Sequence, residues 1–267
     1  CLDLMKQIPD KSIDLVLADP PYFETKWDFD FIRGSFEEYL LFVESIAVIL
    51  KRILKDNWSI YWFWGSKKIA YQQIIFDKYF NLENNIVRKK EVLYWSTGND
   101  WMRSFAPCTE RILFYSNEII NTNWLCVYKT RDYIRENIIK VKWRIVLKEI
   151  NQVLWTADNW WWVASACLSI EKKEPAMITE EHFIKIFQWL YPEKEYKELR
   201  KEYEELRRPF NQLWLSEVIE FSNDMSSQTC VKFSHETVKP VNLIKALIET
   251  ASRNWWLVLD PFLGSGT

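Results

Sequence analysis

Two short apolar runs of this chain each end in an aspartate that is followed by proline. Residues 12–18 lead into Asp19, and residues 257–259 lead into Asp260. Continuous apolar runs of this kind are typical of buried parallel strands, and open α/β sheets bind their ligands at the carboxyl ends of such strands. The sequence therefore predicts an α/β fold in which the two aspartates face each other across one crevice.

The segments between these runs alternate at first between helical and strand patterns. Ser35 and Glu38 have the spacing of a capping box, and the apolar residues that follow, as far as Leu54, predict a crossover helix. Further strands are predicted over residues 60–64, 86–95 and 111–115, and helices over residues 67–79 and 241–251. This alternation of helical and strand patterns becomes unclear after about residue 117. In that later part of the sequence, residues 193–208 predict a solvent-exposed helix that is rich in charged residues.

Three motifs in this sequence point to a chemistry. Residues 19–22 read DPPY, residues 235–240 read HETVKP, and residues 260–267 read DPFLGSGT, whose glycines let main chain approach a ligand closely. DPPY resembles the catalytic loop of amino-group DNA methyltransferases, and DPFLGSGT resembles their S-adenosylmethionine loop. HETVKP resembles the HPTxKP segment that precedes the cofactor strand in that family, with Glu236 in place of the usual proline. Because the catalytic loop comes first, the chain resembles the β group of these enzymes.

The resemblance implies a fold, a domain organisation and a cofactor. The fold is a Rossmann-like S-adenosylmethionine-dependent methyltransferase sheet in permuted order, with an inserted target-recognition region. The implied catalytic half covers residues 1–116, the insertion residues 117–215, and the cofactor-binding half residues 216–267. The implied cofactor is S-adenosylmethionine, and the implied substrate is a base flipped out of double-stranded DNA.

Each motif residue has an expected role in this reaction. An exocyclic base amine is a poor nucleophile because its lone pair is delocalised into the ring, and acceptors for its two hydrogens localise that lone pair. Asp19 supplies a carboxylate, Pro20 a carbonyl, Pro20 and Pro21 together restrict the backbone, and Tyr22 offers a face for the base. The residues expected to bind the cofactor are Asp260, Pro261, Phe262, Gly264, Ser265, Gly266, Thr237 and Lys239. The strand over residues 110–115 is interpreted as scaffold.

The aspartate at the head of DPPY favours adenine N6 as the methylated atom, because relatives that methylate cytosine N4 more often carry serine there. Cytosine N4 methylation is the nearest alternative, and a truncated remnant that binds DNA without activity is another. Methylation of RNA or of a protein glutamine is disfavoured, since those relatives usually place the cofactor loop first.

Charge and composition limit which binding partners and which cellular location can be expected. The net charge of −2 gives no global attraction to nucleic acid, so DNA contact must come from local basic surface. Residues 129–149 are such a candidate, although an ordinary solvated helix face explains them equally well. Two histidines and five scattered cysteines argue against a metal site, and the lack of a long apolar run argues against a membrane span. A cytoplasmic location is expected, with a second copy of the chain or a restriction-modification enzyme as candidate partners.

Tryptophan stands where glycine would be expected in several turns. The chain has 16 tryptophans and 5 glycines, whereas glycine alone is usually about 7% of residues. One hypothesis is that many of these tryptophans are UGA codons of an organism that reads UGA as glycine. The best candidates are Trp58, Trp155, Trp160, Trp161, Trp162, Trp214, Trp255 and Trp256. A protein that uses its many tryptophans to stack bases is the alternative.

The ends of the sequence also carry an expectation. The chain begins at Cys1 and ends at Thr267, directly after the glycine turn, whereas relatives continue with a helix and a strand that complete the cofactor pocket. The sequence therefore resembles a fragment, and these 267 residues alone are expected to bind S-adenosylmethionine poorly.

Overall fold

The computed structural model describes residues 1–23, 34–90, 108–117, 122–142, 150, 154, 162–171, 176–187, 194–211, 215–221 and 239–263. Two compact units divide the chain, one made of residues 1–118 with 209–267 and the other of residues 119–208. The first unit contains the sheet and both aspartate loops, and the second is helical where it is described.

The strands of the first unit are β1 (Ile13–Ala18), β2 (Leu54–Gly65), β3 (Asn81–Lys89), β4 (Thr109–Ser116), β5 (Val218–Glu220) and β6 (Val258–Leu259). Its helices are α1 (Leu2–Met5), α2 (Phe36–Ile53), α3 (Ile69–Phe76) and α8 (Val241–Ala251). The helices of the second unit are α4 (Thr122–Lys142), α5 (Trp162–Leu168), α6 (Glu180–Phe187) and α7 (Tyr196–Leu206).

The six strands form one mixed sheet in the order β5-β3-β4-β2-β1-β6. β1 is parallel to both β2 and β6, whereas β4 is antiparallel to its neighbours β2 and β3. β5 is parallel to β3, so β4 alone of these six strands runs against the others. All six residues of β1 are buried, as a central parallel strand requires. The prediction of an α/β fold is confirmed, and the last strand of the chain lies beside the first.

The helix that connects β1 to β2 begins where the sequence predicts. Ser35 Oγ accepts a hydrogen bond from the backbone N–H of Glu38, and the Glu38 carboxylate accepts one from the backbone N–H of Ser35, which confirms the capping box. Gly34 precedes this cap with a φ of +132°, and a Cβ there would come within 2.1 Å of Glu38 Oε2. The left-handed φ and this close approach both favour glycine at position 34.

The last strand is less buried than the sequence suggests. Val258 and Leu259 are half-buried and Leu257 is 54% exposed, because β6 lies at the edge of the sheet with β1 as its only neighbour among the described strands. A buried carboxylate strengthens this edge. Asp14 Oδ2 accepts a hydrogen bond from the backbone N–H of Leu257 at 3.0 Å, and Lys55 Nζ of β2 lies 2.6 Å from Asp14 Oδ1. Asp14 thus links the start of β6 to β1 and β2, close to the loop that begins at Asp260.

The second unit packs around its own apolar cluster, which includes Ile134, Leu154, Leu168, Phe183 and Leu199. α7 confirms the predicted helix near residues 193–208, with the ion pairs Arg200–Glu204 and Lys201–Glu205 on its surface. Within the described ranges, no helix combines the length and the apolar character needed to cross a bilayer.

The basic segment of residues 129–149 is partly committed to internal contacts. Arg135 Nη1 donates a hydrogen bond to the carbonyl of Leu168, and Arg131 Nη1 donates one to the carbonyl of Ser169 at 3.5 Å. Both arginines therefore cap the carboxyl end of α5, where a positive charge is favourable. Residues 143–149 lie outside the described residues.

Two of the tryptophans suspected of being glycine differ in their surroundings. Trp58 is 2% exposed and packs edge-on against Phe80 with their ring centroids 5.1 Å apart, so glycine there would leave a cavity. Trp255 is fully exposed and has a φ of +72°, which glycine adopts without strain and tryptophan does not. Trp155, Trp160, Trp161 and Trp214 lie outside the described residues. Position 255 therefore has a backbone that suits glycine, whereas position 58 holds a packed indole, and the codon hypothesis stays a prediction at both positions.

Trp255→Gly is expected to raise the free energy of unfolding by about 1 kcal/mol, because it relieves a left-handed backbone without removing a buried side chain. Thermal unfolding followed by circular dichroism measures the change. Trp256→Gly is the matched control, since Trp256 has no positive φ and contacts the Arg253 guanidinium 5.6 Å from its ring. A lower unfolding temperature for Trp255→Gly would contradict the assignment of position 255 as a glycine position.

Candidate active site

The two aspartate loops leave the sheet at the same edge. β1 and β6 pair in parallel with Leu15 opposite Val258 and Val16 opposite Leu259. Asp19 follows the last residue of β1, and Asp260 follows the last residue of β6. Because the carboxyl ends of neighbouring parallel strands meet at one edge, these two carboxylates lie in the same crevice. The electrostatic effect of Asp19 on Asp260, which raises the pKa of the Asp260 carboxyl, agrees with this placement.

Asp19 is held by a lysine from the other end of the chain. Lys239 Nζ lies 2.5 Å from Asp19 Oδ2, and the two side chains are 12% and 24% exposed. The second oxygen, Oδ1, is buried and forms no hydrogen bond of ordinary geometry with the described residues, although a hydrogen bond between the side chains of Tyr22 and Asp19 contributes to the raised pKa of Tyr22. Burying a carboxylate oxygen without a well-formed hydrogen bond is unfavourable. Oδ1 is therefore the less satisfied of the two oxygens of Asp19.

The side chain of Tyr22 lies beside the ion pair of Asp19 and Lys239. Its ring lies 4.6 Å from the ring of Trp64 at an interplanar angle of 44°, and Lys239 Nζ lies 5.5 Å from the centroid of the Tyr22 ring. The ring is partly exposed while the hydroxyl oxygen is buried. Burial, followed by the negative charge of Asp19, raises the pKa of the Tyr22 hydroxyl well above its ordinary value. Tyr22 is therefore protonated at neutral pH and can act as a hydrogen-bond donor.

The Asp260 loop is shaped by its own carboxylate. Asp260 Oδ1 accepts a hydrogen bond from the backbone N–H of Phe262 at 2.8 Å, which closes a local turn. Phe262 then places its ring 6.1 Å from Trp62 and 6.3 Å from Phe42. Burial chiefly raises the pKa of the Asp260 carboxyl, while the hydrogen bond from Phe262 opposes that rise. The turn fixes the direction in which the chain leaves β6.

A buried charge cluster that the motifs did not predict lies near the DPPY segment. Glu110 on β4 is 6% exposed, with Oε2 2.6 Å from Arg88 Nη1 and Oε1 2.6 Å from Lys90 Nζ. Burial alone would raise the pKa of Glu110, but the charges of Lys239, Lys90 and Arg88 hold it below its ordinary value. Glu110 is therefore a buried carboxylate that is paired with two cations near the start of β4, and the interpretation of this strand as scaffold stays a prediction.

The structure brings together part of the expected site. Asp19, Tyr22, Lys239 and Asp260 share one electrostatic environment, with Pro20 buried and Pro21 half-buried between the first two. Pro261 and Phe262 follow Asp260 in the turn. Thr237, Gly264, Ser265 and Gly266 lie outside the described residues. In the described part of the chain, no three histidine, cysteine or acidic side chains come together as a metal site would require.

Comparison with solved structures gives weak overall similarity. The M1.HpyAVI–SAM complex matches with a TM-score of 0.45 and 13% identity, over 98% of this chain and 76% of that one. The cytosine-N4-specific PvuII DNA methyltransferase matches with a TM-score of 0.33 and 14% identity, over 77% of this chain and 89% of that one.

Comparison of sequences is more informative. The type II methyltransferase M1.MboII of Moraxella bovis is 26% identical over 273 aligned positions, which cover 100% of this chain and 82% of that protein. The type II methyltransferases M.HinfI of Haemophilus influenzae and M.BglII of Bacillus subtilis are 36% and 39% identical, over 24% and 16% of their lengths and 27% and 23% of this chain. A family model described as DNA methylase matches residues 13–267. The chain therefore belongs to the DNA methylase family of N6 and N4 amino methyltransferases.

Proposed function

We propose that the chain is a site-specific DNA methyltransferase that transfers a methyl group from S-adenosylmethionine to the N6 amine of an adenine flipped out of double-stranded DNA. The observation that carries this proposal is the buried Oδ1 of Asp19, which forms no hydrogen bond of ordinary geometry within the described chain while Lys239 holds Oδ2. An exocyclic amine is a donor of the required kind. Family membership supports methyl transfer to an amine, and the aspartate at the head of DPPY favours adenine.

The residues at the crevice fit S-adenosylmethionine. When bound, this cofactor supplies an electrophilic methyl group on a positively charged sulfur. Asp19 and Asp260 give the crevice two carboxylates at neighbouring strand ends, and their mutual repulsion is relieved by a cation. Lys239 Nζ provides the opposite charge for the carboxylate of an amino acid moiety. The residues expected to complete the cofactor site are Thr237, Gly264, Ser265 and Gly266.

In the proposed mechanism, this chain orients the amine and accepts its proton. Asp19 Oδ1 accepts a hydrogen bond from the amine, and the carbonyl of Pro20 accepts from its other hydrogen, so the nitrogen lone pair is localised. Lys239 holds Asp19 Oδ2 and so fixes the direction of Oδ1. With the cofactor bound, the nitrogen would form a bond to the methyl carbon as the bond from that carbon to the sulfur breaks, leaving the cofactor as a neutral thioether. The nitrogen would then lose one proton, which Asp19 Oδ1 can accept. Tyr22 provides an aromatic face for the flipped base.

The proposal also covers the target-recognition region, the partner proteins and the cellular location. Residues 119–208 form the second compact unit and are proposed to contain the target-recognition region. Pairing with a restriction enzyme or with a second copy, and a cytoplasmic location, are proposed on the example of type II enzymes.

The test is to express the gene in cells that lack DNA methylation and to identify the modified nucleosides by mass spectrometry. N6-methyladenine is the expected product, and methylation-aware sequencing of the same DNA would report its sequence context. Detection of N4-methylcytosine instead would show that adenine is the wrong base, but it would leave the proposed methyl transfer to an exocyclic amine in place. The absence of any modified base, with the protein folded, would instead support a DNA-binding remnant without activity.

A further inference from the structure

We propose that Lys67 and Lys68, in the loop that follows β2, bind the DNA phosphates beside the flipped base. The inference rests on the proposed function, because it names the part of the molecule that would hold the DNA backbone next to the reacting base. Its physical basis is a series of contacts that connects this loop to Tyr22 and to the residue after it.

The sheet topology places this loop at the edge that carries Asp19. β2 is a parallel neighbour of β1, with Trp62 opposite Ala18. Asp19 follows the carboxyl end of β1, and residues 66–68 follow the carboxyl end of β2 at the same edge. α3 begins directly after this loop, at Ile69. The two lysines therefore lie at the strand end next to the DPPY segment.

The last two residues of β2 connect the loop to the tyrosine of DPPY. The indole N–H of Trp64 donates a hydrogen bond to the carbonyl of Lys67 at 2.9 Å. The centroid of the Trp64 ring lies 4.6 Å from that of the Tyr22 ring, and a Cβ on Gly65 would lie 3.9 Å from the Tyr22 ring. The backbone of Lys67 is therefore only one side chain away from the aromatic face proposed for the flipped base.

Lys68 is anchored on the residue that follows DPPY. Its ammonium group lies 5.1 Å from the centroid of the Phe23 ring and 4.4 Å from that of the Phe36 ring. Cation–π contacts of this length are favourable. Lys68 also has a φ of +61°, a left-handed conformation that glycine or asparagine adopts more readily. The two rings thus hold a positive charge beside the DPPY segment, at a position where the backbone alone would favour another residue.

Lys67 is exposed and has no acidic partner within the part of the chain that the structure describes. Other lysines of the same unit are occupied, since Lys11, Lys55 and Lys78 each lie 2.6 to 2.9 Å from a carboxylate oxygen. The ammonium group of Lys67 can therefore pair with a phosphate without first breaking an ion pair.

The charge of the chain makes DNA the partner that suits this surface. With a net charge of −2, the protein needs local basic surface to bind DNA, and Arg131 and Arg135 of the basic segment are already bound to carbonyl groups at the end of α5. Duplex DNA carries a phosphate about every 3.4 Å along each strand. The lysine pair is therefore within reach of phosphates that flank a base placed on Tyr22. Such contacts position the DNA without reading its sequence.

The first test measures DNA binding and needs no methylation. The probe is a fluorescently labelled duplex in which one adenine faces an abasic site, because an unpaired base costs little to extrude. Its dissociation constant for the protein is measured by fluorescence anisotropy at several salt concentrations. Lys67→Gln is expected to weaken binding about 3-fold to 10-fold and to reduce the slope of log K against log salt by about 0.9, the value for one phosphate contact.

Three further variants make this result specific. Lys67→Arg should retain the affinity and the slope, because a guanidinium group also binds phosphate. Lys67→Gln combined with Lys68→Met, which keeps the apolar stem of Lys68 on its two rings, should lose about twice as much slope as Lys67→Gln alone. Lys78→Gln is the matched control and should leave DNA binding unchanged, because Lys78 is 53% exposed, follows the opposite end of α3 and pairs with Glu44.

The outcomes separate this inference from the proposed function. If Lys67→Gln is folded and keeps the affinity and the salt slope, the phosphate site is refuted, whatever the methylation activity. An equal loss in Lys67→Arg or in Lys78→Gln would refute it as well. A reduced slope in a protein that methylates no DNA would establish the phosphate site while refuting the proposed methyl transfer.

Discussion

Asp19→Asn is expected to lower kcat for methyl transfer about a thousandfold, the loss typical of removing a group aimed at the reacting centre. The ion pair with Lys239 explains why replacing one carboxylate oxygen by an amide nitrogen lowers kcat so strongly. An ammonium group can pair with the carbonyl oxygen of an asparagine but not with its amide nitrogen, so the oxygen will face Lys239. The amide nitrogen then occupies the position of Oδ1, where it donates a hydrogen bond instead of accepting one.

Single-turnover transfer of labelled methyl groups to plasmid DNA measures this loss directly. Asp56→Asn is the matched control, because Asp56 is 65% exposed and pairs with Lys11 at 2.9 Å, outside the proposed active site. The control should retain the rate of the unaltered protein. An Asp19→Asn variant that keeps more than about a tenth of that rate would contradict the assignment of Asp19 as the acceptor of the amine.

Local patterns in the sequence were sufficient to predict the strands and helices nearest the candidate site. The branched apolar residues before Asp19 predicted β1, the Ser35 and Glu38 pair predicted the start of α2, and residues 241–251 predicted α8. Each of these depends on interactions within a few residues or on a periodic apolar face, which a single sequence displays.

Strand ends were predicted less well because partners determine them. β2 was expected over residues 60–64 but spans Leu54–Gly65, since Leu54 pairs with Ile13 although Lys55, Asp56 and Asn57 resemble a turn. β3 was expected over residues 86–95 but begins at Asn81, opposite Ser116 of β4. Pairing with a neighbouring strand overrode local preference in both cases.

The candidate site was predictable from its motifs but not from its charges. DPPY and HETVKP identified Asp19 and Lys239 separately, yet their ion pair joins residues 220 positions apart. Glu110 was missed because a single acidic residue at the start of an apolar strand resembles a solvent-facing strand end. The signal was the pair of cations, Arg88 and Lys90, at the end of the preceding strand in the described chain. Strands β3 and β4 are antiparallel, so this pairing brings opposite charges to one edge.

Lys239→Met is expected to lower kcat about a hundredfold, an effect second to that of Asp19→Asn. Methionine keeps the length and the apolar stem that pack near the rings of Tyr22 and Phe63, but it removes the charge that holds Asp19 Oδ2. The carboxylate of Asp19 would then be free to rotate, so its acceptor would face the amine only part of the time. The rate of methyl transfer and the affinity for S-adenosylmethionine by calorimetry are measured on the same preparation.

The control for this variant is Lys245→Met, the same substitution on α8, because Lys245 is 68% exposed and lies 3.8 Å from Glu249. A hundredfold loss for Lys239→Met with cofactor affinity reduced no more than about tenfold assigns Lys239 mainly to the orientation of Asp19. A loss confined to cofactor affinity would assign it instead to the methionine part of the cofactor.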